Sequence, residues 1–154
     1  MSNNWKEFER GIARRFRRWF PDARRGLQYQ ESEHCPDVVG TPWYVECKTS
    51  GSNYVKYEGD NGTVAVKRGD MYSLYSHYYH RMMEWRDNDC GIDLPVIIVC
   101  SVPRWSNRIL VFMHSNFWKS LCGAKPDDTQ YIVEVTWTQF AAALDEIYPV
   151  KEKI

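Results

Sequence analysis

The sequence predicts an α/β domain in which a mixed central sheet is flanked by helices. Three observations predict it. Helical stripes of apolar residues occupy 4–20, 68–86 and 137–147. Short alternating or continuous apolar runs fall between them, as strands do. The two patterns interleave along the chain, which is the signature of layered α/β folds rather than of segregated elements. At 154 residues the chain is one domain's length, residues 1–154, and can bury a core without a disulfide or metal staple. With 44% apolar and 26% charged residues, a disordered or fibrous chain is excluded.

The first helix, 4–20, gathers Trp5, Phe8, Ile12, Phe16, Trp19 and Phe20 on one stripe, with Asn3 or Asn4 to cap it and Pro21 beyond its end. Arg10, Arg14, Arg17 and Arg18 fall away from that stripe. Glu9 breaks the pattern: at about 100° per residue it lies between Ile12 and Ala13, aimed at the core. A carboxylate there must be paired, protonated or on a metal. It either serves a site or pairs with a core-facing Arg at the stripe's edge.

Gly26 to Gln30 alternates weakly as a strand. Asp37-Val38-Val39, a Gly40-Thr41-Pro42 turn and Trp43 to Lys48 form a hairpin. Residues 49–67 are rich in turn formers and make a long mobile loop or a loose hairpin. In the second helix, 68–86, Met71, Leu74, Tyr75, Tyr78, Met82 and Trp85 face the core, while His77, His80 and Glu84 face outward as ordinary surface residues. Leu94 to Val102 fits a strand buried on both faces. A turn at Pro103 to Asn107, a strand at Arg108 to Met113, a short helix at 115–121, a strand at Tyr131 to Val135 and a last helix at 137–147 complete the order.

Net charge is zero, yet the charge is unevenly placed. Residues 1–25 hold Lys6, Arg10, Arg14, Arg15, Arg17, Arg18, Arg24 and Arg25 against Glu7, Glu9 and Asp22. An Arg-rich pole grips phosphate bidentately, or it is a solvated helix face. The five cysteines are odd in number and lack CxxC spacing, which argues for free thiols rather than a disulfide framework or structural zinc. No apolar run has the ~20 residues that span a membrane, and Met1 to Lys6 does not open a secretory leader; a cytoplasmic protein is expected.

The chemistry concentrates in Cys35-Pro36-Asp37 … Val45-Glu46-Cys47-Lys48. Strand alternation puts Glu46 and Lys48 on one side and Val45 and Cys47 on the other. The hairpin brings Asp37 alongside Glu46, giving two carboxylates and an ammonium on one patch. Two such carboxylates suit Mg²⁺, which polarises a phosphodiester and activates water. Lys48 orients or deprotonates that water, or offsets charge in the transition state. The three charges can also pack merely as ion pairs.

Pro36-Asp37 … Glu46-Cys47-Lys48, with eight residues between Asp and Glu, resembles the PD-(D/E)XK signature of metal-dependent nucleases. The order of elements is similar to that superfamily's restriction-endonuclease-like αβββαβ core. Phe8-Glu9-Arg10, Val66 to Met71 and Pro95 to Val99 resemble the archaeal-type Holliday junction resolvases, over roughly residues 5–113. Where those enzymes carry a basic, Ser/Gly-bearing stretch, this chain has the acidic Gln30 to Cys35.

The resemblance implies a Mg²⁺-dependent endonuclease, with Mn²⁺ as a substitute, that cuts four-way DNA junctions in recombination and repair and leaves 5′-phosphate and 3′-hydroxyl ends. Glu9, Asp37 and Glu46 would be metal ligands, joined by a backbone carbonyl of Val45 or Cys47, with Lys48 catalytic. Arg10, Arg14, Arg17, Lys56, Lys67 and Arg68 would bind phosphates, and Tyr54 or Tyr57 would stack on the junction. Two symmetric cuts call for a C2 homodimer. The alternatives are a general or nicking endonuclease without junction preference, a binding module of the same fold that has lost catalysis, and an interaction module whose basic helix binds an acidic protein.

Overall fold

The computed structural model describes residues 4–26, 34–49, 54–91, 93–102 and 108–150. Residues 27–30 of the expected weak strand, the acidic stretch at 30–33, residues 50–53 of the 49–67 segment and the turn at 103–107 lie outside the described residues. The described chain runs α1 (Asn4–Phe16), β1 (Arg24–Arg25), β2 (Val38–Val39), β3 (Tyr44–Thr49), β4 (Tyr54–Gly59), β5 (Gly62–Lys67), α2 (Tyr72–Trp85), β6 (Val96–Val102), β7 (Arg108–His114), α3 (Ser115–Leu121), β8 (Ile132–Thr136) and α4 (Trp137–Ile147).

Six strands form one mixed sheet in the order β1-β2-β3-β6-β7-β8, parallel between β3 and β6 and antiparallel elsewhere. The stretch α1-β1-β2-β3-α2-β6 therefore has the αβββαβ order expected, with the β4–β5 hairpin inserted before α2. Strand β6 is the sheet's centre, and its continuous apolar run follows from having cover on both faces. Ile97 and Val99 pack under α1, α3 and α4 with Phe16, Trp43, Val111, Phe140 and Leu144. Val96, Ile98 and Cys100 pack on the other face under α2 and the hairpin, with Leu74, Tyr78, Met82, Val55 and Tyr57. Among the described residues, no helix is long and apolar enough to cross a membrane.

Three elements differ from expectation. Helix α1 stops at Phe16, a turn before residue 20. Two tertiary anchors reverse the chain there: Arg17 Nε donates to the Ala23 carbonyl at 2.9 Å, and Trp19 Nε1 donates to Asp145 of α4 at 2.8 Å. Trp5, expected in the buried stripe, is 53% exposed. The 49–67 segment contains an ordered hairpin: Tyr54 to Tyr57 alternates out and in, with Val55 and Tyr57 against α2. Helix α2 starts at Tyr72, later than 68, and ends in a π turn over Arg86–Cys90 closed by Gly91.

Candidate functional site

Strand β2 is too short to cover β3. Among the described residues the two pair only at Val38 opposite Val45, and residues 46–49 of β3 pair as strand with β6 alone. That stretch is where the candidate residues gather. The register sets Asp37 across from Glu46. Asp37 Oδ2 accepts the Cys47 amide at 2.9 Å, replacing the strand partner that β3 lacks. Gly26 holds Asp37 from behind, its amide donating to the Asp37 carbonyl at 2.9 Å. A Cβ on Gly26 would stand 2.1 Å from the Pro36 oxygen, so only glycine permits that approach.

Helix α1 delivers the third carboxylate. Glu9 is 7% exposed, which bears out the inward aim read from its helical phase. Its Oε1 accepts from Arg25 Nε of β1 at 2.9 Å, so the Arg pairing and the placement at the site hold together. The Arg25 guanidinium also lies 5.7 Å from the Trp5 ring centroid.

On β3, Lys48 Nζ is 3.8 Å from Glu46 Oε1 and 4.8 Å from the ring centroid of Tyr78 on α2. Arg81, one turn further along α2, adds positive charge near Asp37 and Glu46 and bonds Tyr44. A cleft of about 690 Å³ opens over the group, lined by Trp5, Phe8, Glu9, Asp37, Glu46, Cys47, Lys48, Thr49, Tyr54 and Lys56.

The electrostatics follow from crowding acids in a partly dry site. Burial, then repulsion from Asp37, pushes Glu9 up to about 7 against the pull of Arg25. Burial raises Asp37 as well, opposed by the Cys47 amide. Burial, then repulsion from Asp37, raises Glu46 well above the usual carboxylate range, against the pull of Lys48. The Cys47 thiol is pushed up by burial and by the three acids, and is a poor anionic ligand. Its backbone carbonyl is better placed. A strand residue points its N–H and C=O to the same side, so Cys47 C=O faces the side of β3 that Asp37 occupies. The Val45 carbonyl is already taken by the Asp37 amide at 2.9 Å.

The donors are hard oxygens from three carboxyls and a carbonyl, which is Mg²⁺ or Mn²⁺ chemistry rather than that of a thiolate metal. A divalent cation would also offset the burial that raises all three acids and the Asp37 repulsion that raises Glu9 and Glu46. Among the described residues, no group of three or more His, Cys, Asp and Glu is set to hold an ion as it stands. The three acids share one cleft, with Glu9 turned onto Arg25. Comparison with family models, curated proteins and solved structures finds no match to the chain. What the site can do is therefore read from its own residues.

The expected phosphate binders divide. Lys56 lines the cleft, and Lys67 sits across from Tyr54 at the hairpin's outer end. Arg10 and Arg14 are exposed on α1, Arg10 pairing with Glu7. Arg17 is committed to Ala23, and Arg68 pairs with Glu134 at 3.1 Å beside a different cleft. Tyr57 is 9% exposed and packs on His77 and Tyr78, which removes it as a stacking surface; Tyr54 is 44% exposed. Two residues at the site went unnoticed in the sequence. Arg81 lies three residues from Tyr78 on the apolar stripe of α2, the same kind of interruption that marks Glu9. Arg25 carries no local signal, since only the docking of α1 on β1 makes it the partner of Glu9.

Proposed function

We propose that the protein is a Mg²⁺-dependent DNA endonuclease that cleaves four-way junctions by phosphodiester hydrolysis in the cytoplasm. The observation that carries this reading is the convergence of Glu9, Asp37, Glu46 and Lys48, from three separate elements, on one cleft. Ion pairing alone accounts poorly for it. Three buried acids share the cleft; burial raises all three, Asp37 raises Glu9 and Glu46 further, and a bound cation or protons would relieve that cost.

Asp37, Glu46, Glu9 and the Cys47 carbonyl would hold the cation, which supplies Lewis-acid polarisation of the phosphodiester and activation of water. Lys48, fixed between Glu46 and the Tyr78 ring, orients the attacking water and offsets the charge that builds on the phosphoryl oxygens. Water oxygen bonds to phosphorus, the bond to the 3′ oxygen breaks, and that oxygen leaves as a hydroxyl. Lys56 in the cleft lining and Lys67, across the hairpin from Tyr54, hold flanking phosphates. Junction preference rests on Glu9 in the site, in keeping with the resemblance, and on a C2 dimer that offers two clefts.

The test is a panel of end-labelled substrates in Mg²⁺: four-way junction, linear duplex, flap and single strand. Symmetric cuts in the junction with 5′-phosphate ends, and sedimentation as a dimer, are expected. Equal cleavage of every substrate by a monomer would leave a general endonuclease. No cleavage of any of them, in Mg²⁺ or Mn²⁺, overturns the assignment.

A further inference from the structure

The lining of the cleft includes two large rings that are about half exposed. Trp5, from the first turn of α1, is 53% exposed, and Tyr54, from the start of β4, is 44% exposed; both line the cleft above the carboxylates. Phe16, Trp19, Trp43 and Tyr44 are 3% exposed or less; Tyr72 and Tyr131 are also exposed, at a different cleft, so what sets Trp5 and Tyr54 apart is that they share one cleft with the acids. Cations accompany the exposed rings. Lys6 Nζ lies 5.2 Å from the Trp5 centroid, Arg25, held by Glu9, lies 5.7 Å from it, and Lys56 and Lys67 flank Tyr54 along and across the hairpin.

An exposed ring beside ammonium and guanidinium groups is how single-stranded nucleic acid is held: the base stacks while its phosphate is neutralised. In an intact duplex both faces of a base are covered by its neighbours, so such a ring gains nothing unless the base is unpaired or extruded. The dimensions agree. A cleft of about 690 Å³ has room for one or two nucleotides. The acids lie at its floor, 6–9% exposed, where a splayed strand reaches more readily than a paired one.

We infer that Trp5 and Tyr54 form a stacking subsite for unpaired bases beside the scissile phosphate, so that the strand to be cut enters locally single-stranded. This inference rests on the nuclease reading of the acids beneath the rings.

The test is fluorescence anisotropy with a labelled single strand and a duplex of equal length, in an Asp37→Asn background, with 2-aminopurine in the strand to report stacking. Trp5→Ala and Tyr54→Ala should each weaken single-strand binding roughly ten-fold and relieve the 2-aminopurine quenching, while duplex affinity changes less than about two-fold. Trp5→Phe and Tyr54→Phe should keep most of the affinity. Equal losses on both DNA forms, no loss on either, or no binding at all overturns the subsite. Cleavage of the junction by the unsubstituted chain, run alongside, separates the two ideas. Asp37-dependent cleavage with binding indifferent to the rings removes the subsite and leaves the nuclease. Ring-dependent stacking with no cleavage of any substrate overturns the nuclease reading and, with it, the placing of the rings beside a scissile phosphate.

Discussion

Glu9 has a folded pKa of about 7 against 4.5 for an ordinary carboxyl, so the folded chain holds that proton more tightly than the unfolded chain does. Its contribution to stability is complete below about 4.5 and is lost as pH rises through about 7. Asp37 and Glu46 are raised in the same direction and add to the trend. Metal-free protein in chelator should therefore melt lower at about pH 8 than at about pH 5, by roughly 5 °C or more. Glu9→Gln should flatten that slope, and Mg²⁺ should restore the melting temperature at the alkaline end. Arg25→Met leaves Glu9 buried without its partner and should destabilise by about 3 kcal/mol in urea titration at neutral pH. Asp37→Asn retains an oxygen to accept the Cys47 amide, so it should fold normally while cleavage drops about 100-fold or more.

The β2–β3 hairpin converts sequence alternation into a site. Its turn depends on Gly40, whose φ is +86° and where a Cβ would lie 2.4 Å from the Asp22 oxygen. Gly40→Ala should therefore cost about 2 kcal/mol or more in urea titration and lower activity by disturbing the register of Asp37 against Glu46. A neutral result would show that the turn does not set that register. Legibility at this scale follows the range of the forces involved. The helices at 115–121 and 137–147, the doubly covered β6 and the alternation of β3 are local patterns, and the structure has them where the sequence places them. Asp37, Glu46 and Lys48 could be found from strand period alone, and Glu9 from one break in a helical period. The end of α1, the exposure of Trp5 and the Arg25 partnership were not legible. Each depends on where another element docks, which no periodicity encodes. Arg81 was legible in principle, as a charge on the stripe of α2.

Across the whole molecule, zero net charge conceals a basic N-terminal segment and an acidic remainder. Several of those Arg side chains are spent on the fold: Arg17 on Ala23, Arg18 on Asp145 at 2.9 Å, Arg25 on Glu9. Phosphate binding then falls to fewer cations than the sequence count suggests, mainly Lys56, Lys67 and the exposed Arg10 and Arg14. Salt titration of DNA affinity should give a slope of about 3 to 4 on a log–log plot, far short of the eight that the basic segment alone would allow. A slope near zero would contradict a phosphate-gripping surface.

The central claim is that acids from α1, β2 and β3 gather around one divalent cation. Calorimetric titration with Mn²⁺ at about pH 6.5, in two buffers of different ionisation enthalpy, tests it most directly. Saturable uptake of cation with protons released, abolished in Asp37→Asn and in Glu46→Gln, is the expected result. No uptake, or uptake unchanged in both variants, would contradict it.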